Sequence, residues 1–178
     1  SAAPIYNLQG ELAAVLDLSL LRSPAERASQ QMALHLVTAA ARRVELANLM
    51  AQSGSDWVLR LAQSPDFLDV DTDVTLSIDP RGRIRAMTHA GARMLATSAG
   101  LDWRQRQLLA GKPLSHFFDV DTNQLPLLMR DRPALERILR ARDGSIWFAL
   151  ALAPQERSRA PATSRPSLQP ALQALDTG

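Results

Sequence analysis

Two short turn sequences constrain this chain more than any other feature. Asp79-Pro80-Arg81-Gly82 separates residues 74–79 from 83–88, and Asp143-Gly144 separates 134–142 from 146–153. Each lies between runs rich in strand formers. Asp-Gly in that setting is a strong hairpin signal, because glycine adopts the positive φ of a tight turn without a Cβ penalty. Between the two predicted hairpins, Ala90, Met94 and Leu95 recur at spacings that share one helical face, and Gly100 stops the pattern. Further helices are predicted over 101–110 and 122–132, the latter with Pro126 near its first turn, and a short turn over 113–118. Two strands, several short helices and two more strands predict an α+β domain, a small antiparallel sheet with helices on one face.

An apolar set follows from this layout: Leu76, Ile78, Ile84, Met87, Met94, Leu95, Leu109, Phe117, Leu125, Leu128, Met129, Ile138, Phe148 and Leu150. A domain this small needs such residues to exclude water, so they are read first as core.

The N-terminal third has a different grammar. Residues 4–20 read as two short strands joined at residues 7–10, the second apolar almost throughout. Such a strand expects cover on both faces, and a lone hairpin is marginal in water, so it must pack against something else. A helix start follows: Ser23 as N-cap, Pro24 at the first helical position and Glu26 completing a capping box. Leu36, Val37, Ala40, Val44, Ala47 and Met50 form a broad stripe on this helix, and Ala33, Ala40 and Ala47 repeat every seven positions, which lets a second helix approach closely. Ser53-Gly54-Ser55 interrupts the stripe, and Ser55 with Asp56 is expected to cap a second helical piece carrying Trp57, Val58, Leu61 and Phe67. Two uses of the long helix compete: cover for its own sheet, or pairing with its twin in a dimer. Its length favours pairing, while Arg43, between Leu36 and Met50, favours a short or splayed bundle over an extended coiled coil.

The remaining signals mainly exclude. The 178 residues carry 20 basic and 18 acidic side chains, and apart from Lys112 every basic one is Arg; these arginines are scattered among carboxylates, which argues against a direct nucleic-acid surface. The absence of cysteine removes disulfides, thiol catalysis and cysteine-ligated zinc. Asp69, Asp71 and Asp73 resemble the opening of a calcium loop, but Val74 stands where that loop needs glycine and Pro80 where it needs glutamate, so no metal is expected. His89 and His116 lack a third ligand nearby, Trp103 and Trp147 lack the polar set of a flavin site, and Arg130 and Arg132 read as solvated surface. No nucleophile elbow, triad, P-loop or dinucleotide fingerprint occurs, Asp119 and Asp121 sit in a surface loop, and no catalytic residue is assigned. With no apolar run long enough to span a bilayer and no signal segment at the start, a cytoplasmic protein without a membrane partner is expected.

In their order, the D-P-R-G-R-I turn, the helix carrying Ala90, Met94 and Leu95, the G-K-P-L-S-H-F-F step at 111–118 and the D-G hairpin resemble a PAS domain over about half the chain. That resemblance implies a pocket between helices and sheet, with Ile78, Met87, Met94, Phe117, Leu128, Met129 and Phe148 as ligand-facing candidates. Haem is disfavoured, because the later helix has no histidine to serve as axial ligand, and no cofactor is expected. The segment P-I-Y-N-L-Q-G-E-L-A-A-V-L-D-L is similar to the closing hairpin of a GAF domain, whose greater part would lie upstream. From Gln155 three prolines and small polar residues mark a linker, whose end L-Q-A-L-D-T-G resembles the approach to the ATPase of sigma-54-dependent activators. The expected organisation is a GAF-like end over 1–22, a linking helix over 23–64 with a break near 53–55, a PAS-like domain over 74–154, and a linker over 155–178. As a whole it resembles the control region of acetoin-catabolism-type regulators. The resemblance implies a homodimeric sensor of a small metabolite or a protein partner, acting on downstream ATPase and DNA-binding domains. The alternative is a ligand-free dimerisation and docking module.

Overall fold

The computed structural model describes residues 1–19 and 26–155. The Ser23–Pro24 cap and the linker beyond Gln155 lie outside them. Among the described residues, seven strands and two α-helices are joined by loops and short 3-10 turns: β1 (Ala2–Tyr6), β2 (Leu12–Asp17), α1 (Glu26–Gln52), β3 (Trp57–Ala62), β4 (Val74–Ile78), β5 (Ile84–Met87), α2 (His89–Ser98), β6 (Ile138–Arg140) and β7 (Ile146–Leu152). The α+β expectation holds: a five-stranded antiparallel sheet, preceded by a hairpin and a long helix.

Both turn signals make the hairpins expected of them. Gly82 and Gly144 hold φ of 77° and 87°. The Asp79 carboxylate accepts from the amides of Arg81 and Arg83, each at 2.9 Å, and Asp143 accepts from Ser145 at 2.9 Å, so each aspartate rigidifies its own turn. The hairpins do not meet. Strand order is β5-β4-β3-β7-β6, and β3 lies between them, antiparallel to both neighbours.

This corrects the second helical piece expected over 57–67. Trp57-Val58-Leu59-Arg60-Leu61-Ala62 is a central strand whose backbone polar groups go to β4 and β7, and its nearly unbroken apolar run matches burial on both faces. The helix before it ends at Gln52, where Ser53 Oγ donates to Leu49 O at 2.7 Å. The later helices expected over 101–110 and 122–132 are shorter 3-10 segments, Trp103–Leu108 and Thr122–Leu128, the second with Pro126 inside it. A 3-10 turn over Ala134–Glu136 shortens the final hairpin's first strand to Ile138–Arg140.

Residues 111–119 cover both outer strands. Gly111 donates to Ile84 O at 2.7 Å and Ile84 donates to Lys112 O at 2.9 Å, closing β5; Asp119 donates to Arg140 O at 2.9 Å, closing β6. Ile84 and Arg140 are thereby paired, which shortens the open stretch of each edge.

Strand alternation sorts side chains onto two faces. Leu59, Leu61, Leu76, Trp147, Ala149 and Ala151 face α2 and the 3-10 segments in the main core. On the other face, α1's last turns bring Leu49 onto Val58 and Ala86, and Leu68 packs on Ala62 and Leu150. The first hairpin rests on α1 through Ala3 and Ile5, which meet Val37 and Ala41. Its second strand is not covered on both faces as its composition suggested: Leu12 and Val15 are each 60% exposed.

Candidate functional site

The structure distributes the seven candidate pocket residues unevenly. Ile78, Met87, Phe117 and Leu128 are buried together in the main core, with Met94 and Met129 packed against its rim. Phe148 is not with them. It follows Trp147 by one residue, so its side chain crosses to the opposite face, beside Ala62, Leu68 and Leu150. Leu150 is there too, and Ile138 is exposed at the edge. Leu59 and Leu61 of β3 join the main core, a place that the helical piece expected over 57–67 does not give them. A run of six apolar-rich residues between Gly54-Ser55 and Ser64-Pro65 was the signal available.

The stripe on α1 divides in the same way. Val37 is spent on the hairpin. Leu36, Val44, Ala47 and Met50 are exposed and Ala40 half-buried, and Met32, one turn before Leu36, extends the apolar band. One face of the helix, through Ala33, Val37, Ala41, Glu45 and Leu49, is buried within the chain, while the other offers unpartnered apolar side chains to solvent.

Between these regions is a junction that sequence alone did not indicate. Glu45, in the middle of α1's buried face, is only 7% exposed. Its Oε1 accepts from the Tyr6 amide at 3.0 Å and its Oε2 from the His89 amide at 3.1 Å. Tyr6 ends β1; His89 opens α2, where an N-terminal amide and the helix dipole both favour a carboxylate. The Tyr6 and His89 rings stack 4.2 Å apart at 11°, and the Arg106 guanidinium lies 5.1 Å from the Tyr6 ring centroid. Burial lowers the His89 pKa first, with the charges of Arg106 and Arg93 adding to it, so the site disfavours the charged ring. Gly10 is part of the arrangement: its φ is 88°, and a Cβ there would collide with the Arg106 side chain. A groove of about 680 Å³ opens at this junction, with Tyr6, Thr38, Glu45, Thr75, His89 and Arg93 among its walls; a second hollow of about 490 Å³ lies beside Arg106 and Gly10. None of the seven candidate pocket residues lines either one.

The polar residues weighed in sequence are structural where their partners are visible. Asp69 pairs with Arg130 at 3.1 Å and Arg137 at 3.5 Å, and Asp73 accepts from the Gln63 amide at 3.1 Å, so both tie their segment to the rest of the chain. Trp147 donates to Ser145 Oγ at 3.1 Å, and His116 is exposed, with its ring edge-on to Phe117. Among the described residues, no three His, Asp or Glu side chains are grouped so as to hold a metal, and no helix is long and apolar enough to cross a membrane.

No family model matches the chain, and no solved structure matches it. It is similar to a curated protein of Cupriavidus necator named acetoin catabolism regulatory protein, 32% identical over 180 aligned residues that take in the whole chain. The chain spans 27% of that relative's length, and the similarity is to part of a regulatory protein.

Proposed function

We propose that this chain is a regulatory, non-enzymatic part of a sigma-54-dependent transcription activator. In this reading the PAS-like body senses a small metabolite or a protein partner, and paired α1 helices pass its state to a downstream ATPase. The observation that carries it is the second apolar face of α1: Met32, Leu36, Val44 and Met50 remain exposed after the hairpin and sheet have taken the opposite face. A 27-residue helix, about 40 Å long, with one face packed internally and an apolar band outside suits association with a second copy. Similarity to a protein named as a regulator supports the regulatory half of the reading. GAF ancestry for the hairpin and PAS ancestry for the sheet belong to this proposal, as do the ATPase and DNA-binding domains as partners.

A docking module without ligand is the second reading, and it too has an observation behind it. Ile78, Phe117 and Leu128, named as ligand-facing, are at most 6% exposed and belong to the one packed main core. Sedimentation velocity across micromolar concentrations tests the shared part. A dimer that Leu36→Asp with Val44→Asp converts to folded monomer is expected; a monomer throughout removes the pairing. Native mass spectrometry then separates the readings: a retained small mass favours sensing, and an apo dimer without thermal response to metabolites favours docking.

A further inference from the structure

We propose that Glu45 is a coupling latch, the point at which a displacement of α2 on the sheet is passed to the first hairpin and to α1. This rests on the reading of α1 as an output element. Along α1's buried face, Ala33, Val37, Ala41 and Leu49 are apolar, and Glu45 stands at the same four-residue spacing where an aliphatic side chain would pack. Burying a carboxylate there is costly unless both oxygens are satisfied. They are satisfied by two backbone amides from different elements, Tyr6 of β1 and His89 of α2. Backbone donors report where their elements sit, whatever their side chains. An aliphatic residue at this position would tolerate a small shift of α2. The carboxylate cannot, because moving His89 away breaks one bond or drags the side chain from Tyr6, and hydrogen bonds weaken steeply with distance and angle. The Tyr6–His89 stack joins the same two residues and makes their separation a shared event. On the opposite side of α1 is the exposed band of Leu36, Val44 and Met50. A latch at Glu45 therefore connects the body's helix to the surface that a second copy would meet.

Amide hydrogen exchange on the whole chain tests this. Glu45→Gln keeps one acceptor oxygen and loses the other; Glu45→Asp keeps the charge but is too short to reach both donors. Either variant should raise exchange at Tyr6 or His89 about tenfold while β3 and β4 stay protected. Thr88 caps α2: its Oγ1 accepts from the Gly91 amide at 3.3 Å and bonds the Thr75 backbone of β4, accepting from its amide at 3.3 Å and donating to its carbonyl at 3.4 Å, so Thr88→Ala loosens α2 and its seat on β4 without removing a bond to Glu45 or Tyr6. In the native background its effect should spread to Tyr6 and along α1; with Glu45→Gln or Glu45→Asp it should stop at α2 and the Thr75 end of β4. Equal spread in both backgrounds, or unchanged exchange at Tyr6 and His89, overturns the latch. Sedimentation on the same samples keeps the outcomes apart: the expected exchange pattern in a monomer retains the latch and ends the pairing, and a dimer without the pattern does the reverse.

Discussion

The two sheets of this molecule solve the same problem in different ways. The five-stranded sheet carries its own cover: α2 and the 3-10 segments on one face, Leu49 and Leu68 on the other, and residues 111–119 along both edges. The two-stranded sheet borrows its support from α1 on one side and leaves Leu12 and Val15 exposed. A sheet with two covered faces can be the stable centre of a fold. One with a single borrowed face is held only as well as its attachments allow, and these include the small Ala3–Ile5–Val37–Ala41 cluster, Leu8 against Leu49, Val58 and Ala86, and the Glu45, Tyr6 and Arg106 contacts.

The largest expected effect is in the main core. Phe117→Ala, at a side chain 2% exposed, should cost about 3–5 kcal/mol and lower the denaturation midpoint of the whole body, whereas Ile5→Ala should cost about 2 kcal/mol and deprotect the hairpin with little change in β3. If both lower the midpoint equally, the two sheets are one cooperative unit and the contrast fails. Next is the pair Asp69 and Arg137. Arg137 is 2% exposed, Asp69 is its ion-pair partner, and its Nε and Nη1 meet no acceptor among the described residues. Asp69→Ala removes that charge's partner and should cost about 2 kcal/mol, less than a fully buried pair because Asp69 is 41% exposed, while Arg137→Met should be neutral or stabilising, because pairing returns little beyond the desolvation of the guanidinium. Thermal melts of the two variants check the asymmetry, and equal losses would end the argument.

Gly10→Ala should cost about 1–2 kcal/mol, because it puts a Cβ at positive φ and into the Arg106 side chain. Its signature is faster exchange over β1 and β2, with the five-stranded sheet unchanged. The smallest effect is a pH slope. The His89 pKa is lowered from 6.5 in the folded chain, so the unfolded chain binds the proton more tightly. That contribution to stability is present above about pH 6.5 and is lost as pH falls below it. His89→Gln should flatten the melting-temperature profile below about pH 6.5; an unaltered profile would show that the fold does not disfavour the charged ring.

The residues disclosed some parts of this fold and concealed others for a consistent reason. Both tight turns were legible because Asp79 with Gly82 and Asp143 with Gly144 fulfil their roles within a few residues. The long helix was legible from its apolar spacing. Trp57–Ala62 was not, because a short apolar run fits a buried strand and a helix equally well, and the choice between them lay with β4 and β7. The PAS resemblance implies a pocket position for Phe148, but the register with Ala62 sends it to the opposite face. Glu45 gave no signal at all, since a glutamate on a helix is ordinarily read as solvated.

By itself, then, the sequence determined the local events: two Asp-Gly-centred hairpins, an amphipathic helix with more apolar surface than one face can hold, and a chain without cysteine chemistry. Only tertiary structure decided which strand joins the hairpins, which half of the helix stripe stays exposed, and which carboxylate binds three elements together. Turns and helical periodicity depend on neighbours in the chain. Strand order, face assignment and the partners of Glu45 depend on residues tens of positions away, whose encounter no local pattern records.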